Sequence, residues 1–150
     1  MTKILVLNGP NLNLLGEREP HIYGHTTLAQ IEERCKAVGE RVGVGVDFRQ
    51  SNHEGQLVDW IQDARKTVAG IVLNPAAFSF TSMAILDALK ASQLPVVEVH
   101  ISNIHRREPM YHKSYVSLAA TGVICGLGPF GYEAAVTFLA EHIGKQGASE

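Results

Sequence analysis

The sequence predicts a doubly wound α/β fold, an open parallel sheet of five strands with helices on both faces. Three observations predict it. Short β-branched or aliphatic runs alternate with amphipathic stretches along the whole chain, as strands alternate with crossover helices. Most of these runs are nearly continuous in apolar residues, as expected of parallel strands covered on both faces. The 150 residues, 45% hydrophobic and 19% charged, supply material for about one core, so residues 1–150 are expected to form a single domain.

The first strand is Lys3 to Asn8. A helix follows over about Thr27 to Val42, where Leu28, Ile31, Cys35 and Val38 recur at spacings of three and four and build one buried stripe. Val44 to Gln50 reads as the second strand, and Glu54 to Thr67 as a helix that Asn52 can cap. Gly70 to Asn74 is the third strand, followed by a helix over Thr81 to Ser92 capped by Ser79 or Thr81. Pro95 to His100 and Gly122 to Cys125 complete the sheet, and Gly131 to Ile143 forms the last helix. Right-handed crossovers place these helices on the two faces. Lys145 to Glu150 reads as a polar, frayed tail.

Thirteen Lys and Arg against fifteen Asp and Glu leave a net charge of −2, too little bulk charge to recruit nucleic acid or an anionic membrane. Apolar runs such as Ile4-Leu5-Val6-Leu7 fall far short of the ~20 residues that span a bilayer. The N-terminus has no signal-peptide layout. Cys35 and Cys125 lie in apolar patterns without a CxxC, which reads as two buried thiols in a reducing, cytoplasmic compartment.

Two connections exceed the roughly 2–6 residues usual between strand and helix. They are Gly9 to Thr26 and Ile101 to about Ser117, and both leave the carboxyl ends of strands, where open α/β sheets bind ligands. The strand ends are polar: Asn8 with Asn11 and Asn13, then Gln50-Ser51-Asn52-His53-Glu54, Asn74, and Glu98 with His100, Ser102 and Asn103. Glu98 and His100 break an apolar run with a period of two. Arg18 and Tyr23 share the first long connection. Tyrosine, with an ordinary pKa of about 10, is a poor base at neutral pH, and a nearby guanidinium favours its phenolate. A candidate base in Tyr23, a candidate acid in His100 and amides between them suit proton abstraction with elimination better than hydrolysis.

Other motifs fail. Gly126-Leu127-Gly128-Pro129-Phe130-Gly131 fits GxGxxG, but no further strand follows to carry a ribose-binding acid, so it reads as a tight turn. His53-Glu54 is not HExxH, because Leu57 stands at the second histidine position. His100, His105 and His112 lack a matching carboxylate or thiol cluster, so no metal site is expected. There is no nucleophile elbow, no P-loop, and no lysine ending a strand for Schiff-base chemistry.

Over nearly its whole length the chain resembles type II 3-dehydroquinate dehydratase. The segments that carry the resemblance include Asn8-Gly-Pro-Asn-Leu-Asn-Leu-Leu-Gly16, Arg18-Glu19-Pro20, Tyr23-Gly24, Gln50-Ser51-Asn52-His53-Glu54-Gly55, Asn74-Pro75, Asp87-Ala88-Leu89, Glu98-Val99-His100-Ile101-Ser102-Asn103 and Arg107-Glu108. The resemblance implies a flavodoxin-like fold, a cytoplasmic dodecamer built from trimers, no metal or cofactor, and conversion of 3-dehydroquinate to 3-dehydroshikimate in the shikimate or quinate pathway. It implies that Tyr23 is the base, with Arg18 favouring its phenolate, and that Asn11 holds a water against the enolate. His100 would be the acid, oriented by Glu98. Asn74 and the backbone N–H groups of Ile101 and Ser102 would hold the substrate carboxylate. Asp87 would reach a ligand across a subunit contact, and Arg107 would add positive charge near the base.

Two positions depart from the family's pattern. Phe80, in Ser79-Phe80-Thr81-Ser82, stands where the family usually has a substrate-contacting histidine, and Tyr111 stands where it usually has an arginine. Either Tyr111 and waters compensate, or the ligand is a cyclic carboxylic acid with fewer or rearranged hydroxyls. A binding or signalling module of the same fold is disfavoured. Asn8 stands where a response regulator needs acidic residues, and the first loop, NGPNLN, lacks the hydroxyls of a flavin site.

Overall fold

A computed structural model describes residues 1–148 of the chain. Its strands are β1 (Lys3–Asn8), β2 (Gly45–Gln50), β3 (Gly70–Asn74), β4 (Val96–His100) and β5 (Gly122–Cys125). Its helices are α1 (Pro20–Tyr23), α2 (Leu28–Val42), α3 (Glu54–Ala64), α4 (Met83–Ser92) and α5 (Phe130–Ala148). The strands form one parallel sheet in the order β2-β1-β3-β4-β5. This is the expected fold class, with the strand order reversing beside β1, where such sheets open a crevice.

Side-chain alternation along the strands divides the core. Ile4, Val6 and Val72 pack with Ile31, Cys35 and Val38 of α2 and Val136 and Leu139 of α5. Leu5, Leu7, Ile71 and Leu73 pack on the other face with Leu57 and Ile61 of α3 and Ile85 and Leu89 of α4. Burial pushes the Cys35 thiol up to about 12, so it is inert packing. Cys125 is only half-buried, against expectation, because β5 is an edge strand. No helix among the described residues is long and apolar enough to cross a membrane.

Several local expectations need correction. Asn52 does not cap α3. Its Oδ1 accepts from the Asn11 N–H at 2.9 Å and from Gln50 Nε2 at 3.0 Å, tying β2 to the first long connection. The cap of α4 is Ser82, whose Oγ accepts from the Ile85 N–H at 2.9 Å. Ser79 and Thr81 are displaced from that role by a 3₁₀ turn over Ala76–Phe80, which delays the helix start. Helix α3 stops at Ala64, short of Thr67, where the Thr67 and Val68 N–H groups turn back to the Ala64 carbonyl. Lys145 and Gln146 continue α5 and are not a frayed tail, while Ser149 and Glu150 lie outside the described residues. The GLGPFG stretch is the expected turn, with Gly126 and Gly128 in the left-handed region at φ +82° and +61°.

Both long connections are built of short turns. The first contains a 3₁₀ turn over Leu12–Leu14 and α1, with buried Leu12 and Leu15 as anchors. The second contains 3₁₀ turns at Ile104–Arg106, Pro109–Tyr111 and Val116–Leu118. At the start of the first, the Gly9 N–H donates to the Asn74 carbonyl at 2.8 Å. A Cβ on Gly9 would sit 2.4 Å from the Pro75 carbonyl oxygen. Gly9→Ala is therefore expected to lower stability by about 1–3 kcal/mol through overpacking, read as a lower urea midpoint.

Candidate active site

Parallel registration sets Asn8 level with Gln50 on one side and Asn74 on the other, so the polar strand ends meet at one edge. Above them, the two long connections enclose a cavity of about 120 Å³. Ten of the twelve candidate residues border it directly. Asn11, Arg18 and Tyr23 come from the first connection. Asn74 and Phe80 follow β3. His100, Ile101, Ser102, Arg107 and Tyr111 follow β4. Glu98 lies beneath the cavity, and Asp87 sits exposed on α4, away from the cavity of its own chain.

Glu98 has no solvent exposure. One carboxylate oxygen is hydrogen-bonded to His100 Nε2 and the other accepts from Ser117 Oγ at 2.6 Å. Burial alone would raise its pKa, but the hydrogen bonds from His100 and Ser117 outweigh that and hold it below the ordinary carboxylate value. The ionised carboxylate requires a proton on Nε2, which orients the ring and leaves Nδ1 as the nitrogen that can serve a ligand.

Two cations lie within 6 Å of the Tyr23 ring centroid. The Arg18 guanidinium is 5.7 Å and the Arg107 guanidinium 5.8 Å from its ring centroid. Arg18 also meets Glu19 at 3.7 Å, a half-exposed pair of small energetic weight. Asn11 adopts φ +69°, in the left-handed region that asparagine tolerates better than most residues, and its N–H is committed to Asn52. Phe80 stacks beside His100 with centroids 6.4 Å apart and meets the Tyr111 ring edge-on at 5.3 Å. Arg107 lies over Tyr111 at 4.0 Å. No group of three or more His, Cys, Asp or Glu that could hold a metal ion occurs among the described residues.

The apolar lining from Leu12, Leu15, Ala76 and Ile104 was not singled out from sequence. The paired leucines inside the polar stretch NGPNLNLLG were the available signal. Ser117 gave none, because its partner is set by the fold.

Fold and cavity together describe an enzyme of the doubly wound α/β class, with ionisable side chains gathered at the carboxyl edge of its sheet. The sequence pattern of the family described as dehydroquinase class II matches residues 2–140. A 3-dehydroquinate dehydratase 2 of Pseudomonas aeruginosa is 61% identical over 138 residues, covering 92% of this chain and 93% of that protein. A 3-dehydroquinate dehydratase of Streptomyces avermitilis is 62% identical over 138 residues, covering 91% and 87%. The crystal structure of a type II dehydroquinase from Propionibacterium acnes superposes with a TM-score of 0.91 at 47% identity, covering 94% of this chain and 97% of that one. The chain belongs to the class II dehydroquinase family.

The Glu98 carboxyl ties stability to pH. Its folded pKa is depressed, so its contribution is complete above the ordinary carboxylate range and is lost as pH falls through the folded value. Glu98→Gln should cost about 1.5–3 kcal/mol at pH 7. Its urea midpoint should converge on that of the unaltered protein as the pH is lowered below about 4.

Proposed function

We propose that Tyr23 is the base and His100 the acid with which this class II dehydroquinase removes water from 3-dehydroquinate to give 3-dehydroshikimate. The observation that carries the reading is one cavity bordered both by a phenol with two guanidiniums near its ring and by an imidazole bonded to a buried carboxylate. Tyr23, acting in its phenolate form with the Arg18 and Arg107 guanidiniums near its ring, takes a proton from C2. The electron pair moves to the C3 carbonyl oxygen as an enolate, against a water held by Asn11. His100 then protonates the C1 hydroxyl, which leaves as water, and the enolate collapses to the C1–C2 double bond. Asn74 and the Ile101 and Ser102 N–H groups bind the carboxylate. The step needs no cofactor to balance it.

A cytoplasmic dodecamer built from trimers, serving the shikimate or quinate pathway, completes the proposal. Its support is the exposed position of Asp87, where a neighbouring subunit's ligand could reach it, and the apolar side chains left open near the β5 edge, Val123, Leu127 and Phe130.

Tyr23→Phe should reduce turnover at least about 100-fold, the usual scale for losing a general base. The readout is the ultraviolet absorbance of the conjugated enone product. The apolar edge made by Phe80 against Tyr111 favours a second reading, a cyclic acid with fewer hydroxyls. Phe80→His tests it: kcat/KM for 3-dehydroquinate should stay within about threefold, whereas a gain of about tenfold, one hydrogen bond's worth, would assign the cavity to the less hydroxylated ligand.

A further inference from the structure

Beneath the cavity floor, four hydrogen bonds run in one direction through three strands and a helix. The Arg49 carbonyl can only accept, so the Asn8 atom 3.0 Å from it is Nδ2. Asn8 Oδ1 therefore faces the Tyr132 hydroxyl at 2.7 Å, and the hydroxyl donates. With its single proton used, the Tyr132 oxygen can only accept at its next contact, 2.9 Å away, which makes the Asn74 atom there Nδ2. Asn74 Oδ1 in turn accepts from the Ala76 N–H at 3.1 Å. Both ends of the chain are backbone groups of fixed polarity. Turning the Asn74 amide over would set oxygen against oxygen at a hydroxyl with no proton left, and N–H against N–H at Ala76.

Tyr132 and Asn8 have no solvent exposure and Asn74 has 4%, so no water can substitute for a lost partner cheaply. Burial raises the Tyr132 pKa, so its hydroxyl stays a protonated donor. Asn74 Nδ2 keeps a second proton, and Asn74 borders the cavity.

We propose that Tyr132 of α5 is a positioning residue: its hydroxyl locks the Asn74 amide so that the cavity floor offers an N–H donor, selecting an anionic oxygen on the ligand. Tyr132 touches no ligand itself and acts through a side chain 58 positions away in sequence. The choice of a carboxylate as that anion rests on the proposed function; the locked amide does not.

The test is Tyr132→Phe, studied well below its melting temperature. KM for 3-dehydroquinate should rise about tenfold with kcat within about twofold, because the lost contact serves binding in ground and transition state alike. By nuclear magnetic resonance, exchange of the Asn74 side-chain amide protons should accelerate at least about tenfold, since the bond that protects one of them is gone. Unchanged KM with a lower melting temperature would reduce Tyr132 to packing, and unchanged amide exchange would overturn the lock. If Tyr132→Phe does not fold, Asn8→Ala tests the same lock with smaller changes in the same directions, because it removes the acceptor that fixes the Tyr132 proton and leaves the Ala76 N–H as the one group of fixed polarity orienting the amide. Failure of the unaltered protein to convert 3-dehydroquinate would sink the proposed function alone, since amide exchange still decides the role of Tyr132.

Discussion

A carboxylate without solvent contact must find its hydrogen bonds inside the fold, and Glu98 finds one on each oxygen. His100, two residues along the same strand, supplies the first; Ser117, nineteen residues on, supplies the second. Leaving a buried charge without either partner costs several kcal/mol. The connection after β4 must therefore return to the strand it left. Val116, beside Ser117, is wholly buried against the α3 and α4 face, which secures the return. With both ends fixed, the residues between them, Ile104, Arg107 and Tyr111, are held over the cavity as a wall.

The first connection is secured differently, with apolar anchors and backbone bonds in place of a buried charge. Leu12 and Leu15 enter the core beside α2 and α5, and Asn52 binds the Asn11 N–H from the neighbouring strand end. The chain reaches Tyr23 through two residues in the left-handed region, Asn11 and Glu19, and through Gly16 at φ +91°. Such backbone is unfavourable for asparagine and glutamate unless the surroundings hold it. Beyond Leu15 the short helix α1 carries Tyr23, whose ring packs against the same core cluster and has a cation from each connection within 6 Å of its centroid.

The strands were legible because buried parallel strands are nearly continuous apolar runs, and the cavity residues because polar groups interrupt those runs at their carboxyl ends. Asn74, Glu98 and His100 were readable in this way, since each stands where an apolar residue would otherwise be expected. Ser117 and Tyr132 were not. A serine in a long polar connection and a tyrosine in an amphipathic helix carry no local mark, and their partners lie 19 and as many as 124 residues away. Only the crossover topology brings them together. The caps misled for a related reason: several hydroxyl residues precede α4, and a single 3₁₀ turn decides which of them meets the first free N–H groups.

The departures at Phe80 and Tyr111 acquire a physical meaning once they are seen to touch. Separately, each removes a polar contact from the cavity. Together they form an edge-on aromatic pair, and the Tyr111 ring receives the Arg107 guanidinium 4.0 Å from its centroid. A cation over an aromatic face is worth about 0.5–2 kcal/mol, enough to decide the rotamer of a long side chain. The rotamer so chosen brings the same guanidinium within 5.8 Å of the Tyr23 ring centroid. An arginine at position 111 would repel Arg107, whereas a tyrosine there gives it a platform. The pair thus makes one wall of the cavity apolar while holding the Arg107 guanidinium beside Tyr23, so the wall's polarity and the charge near the proposed base are set by the same two side chains.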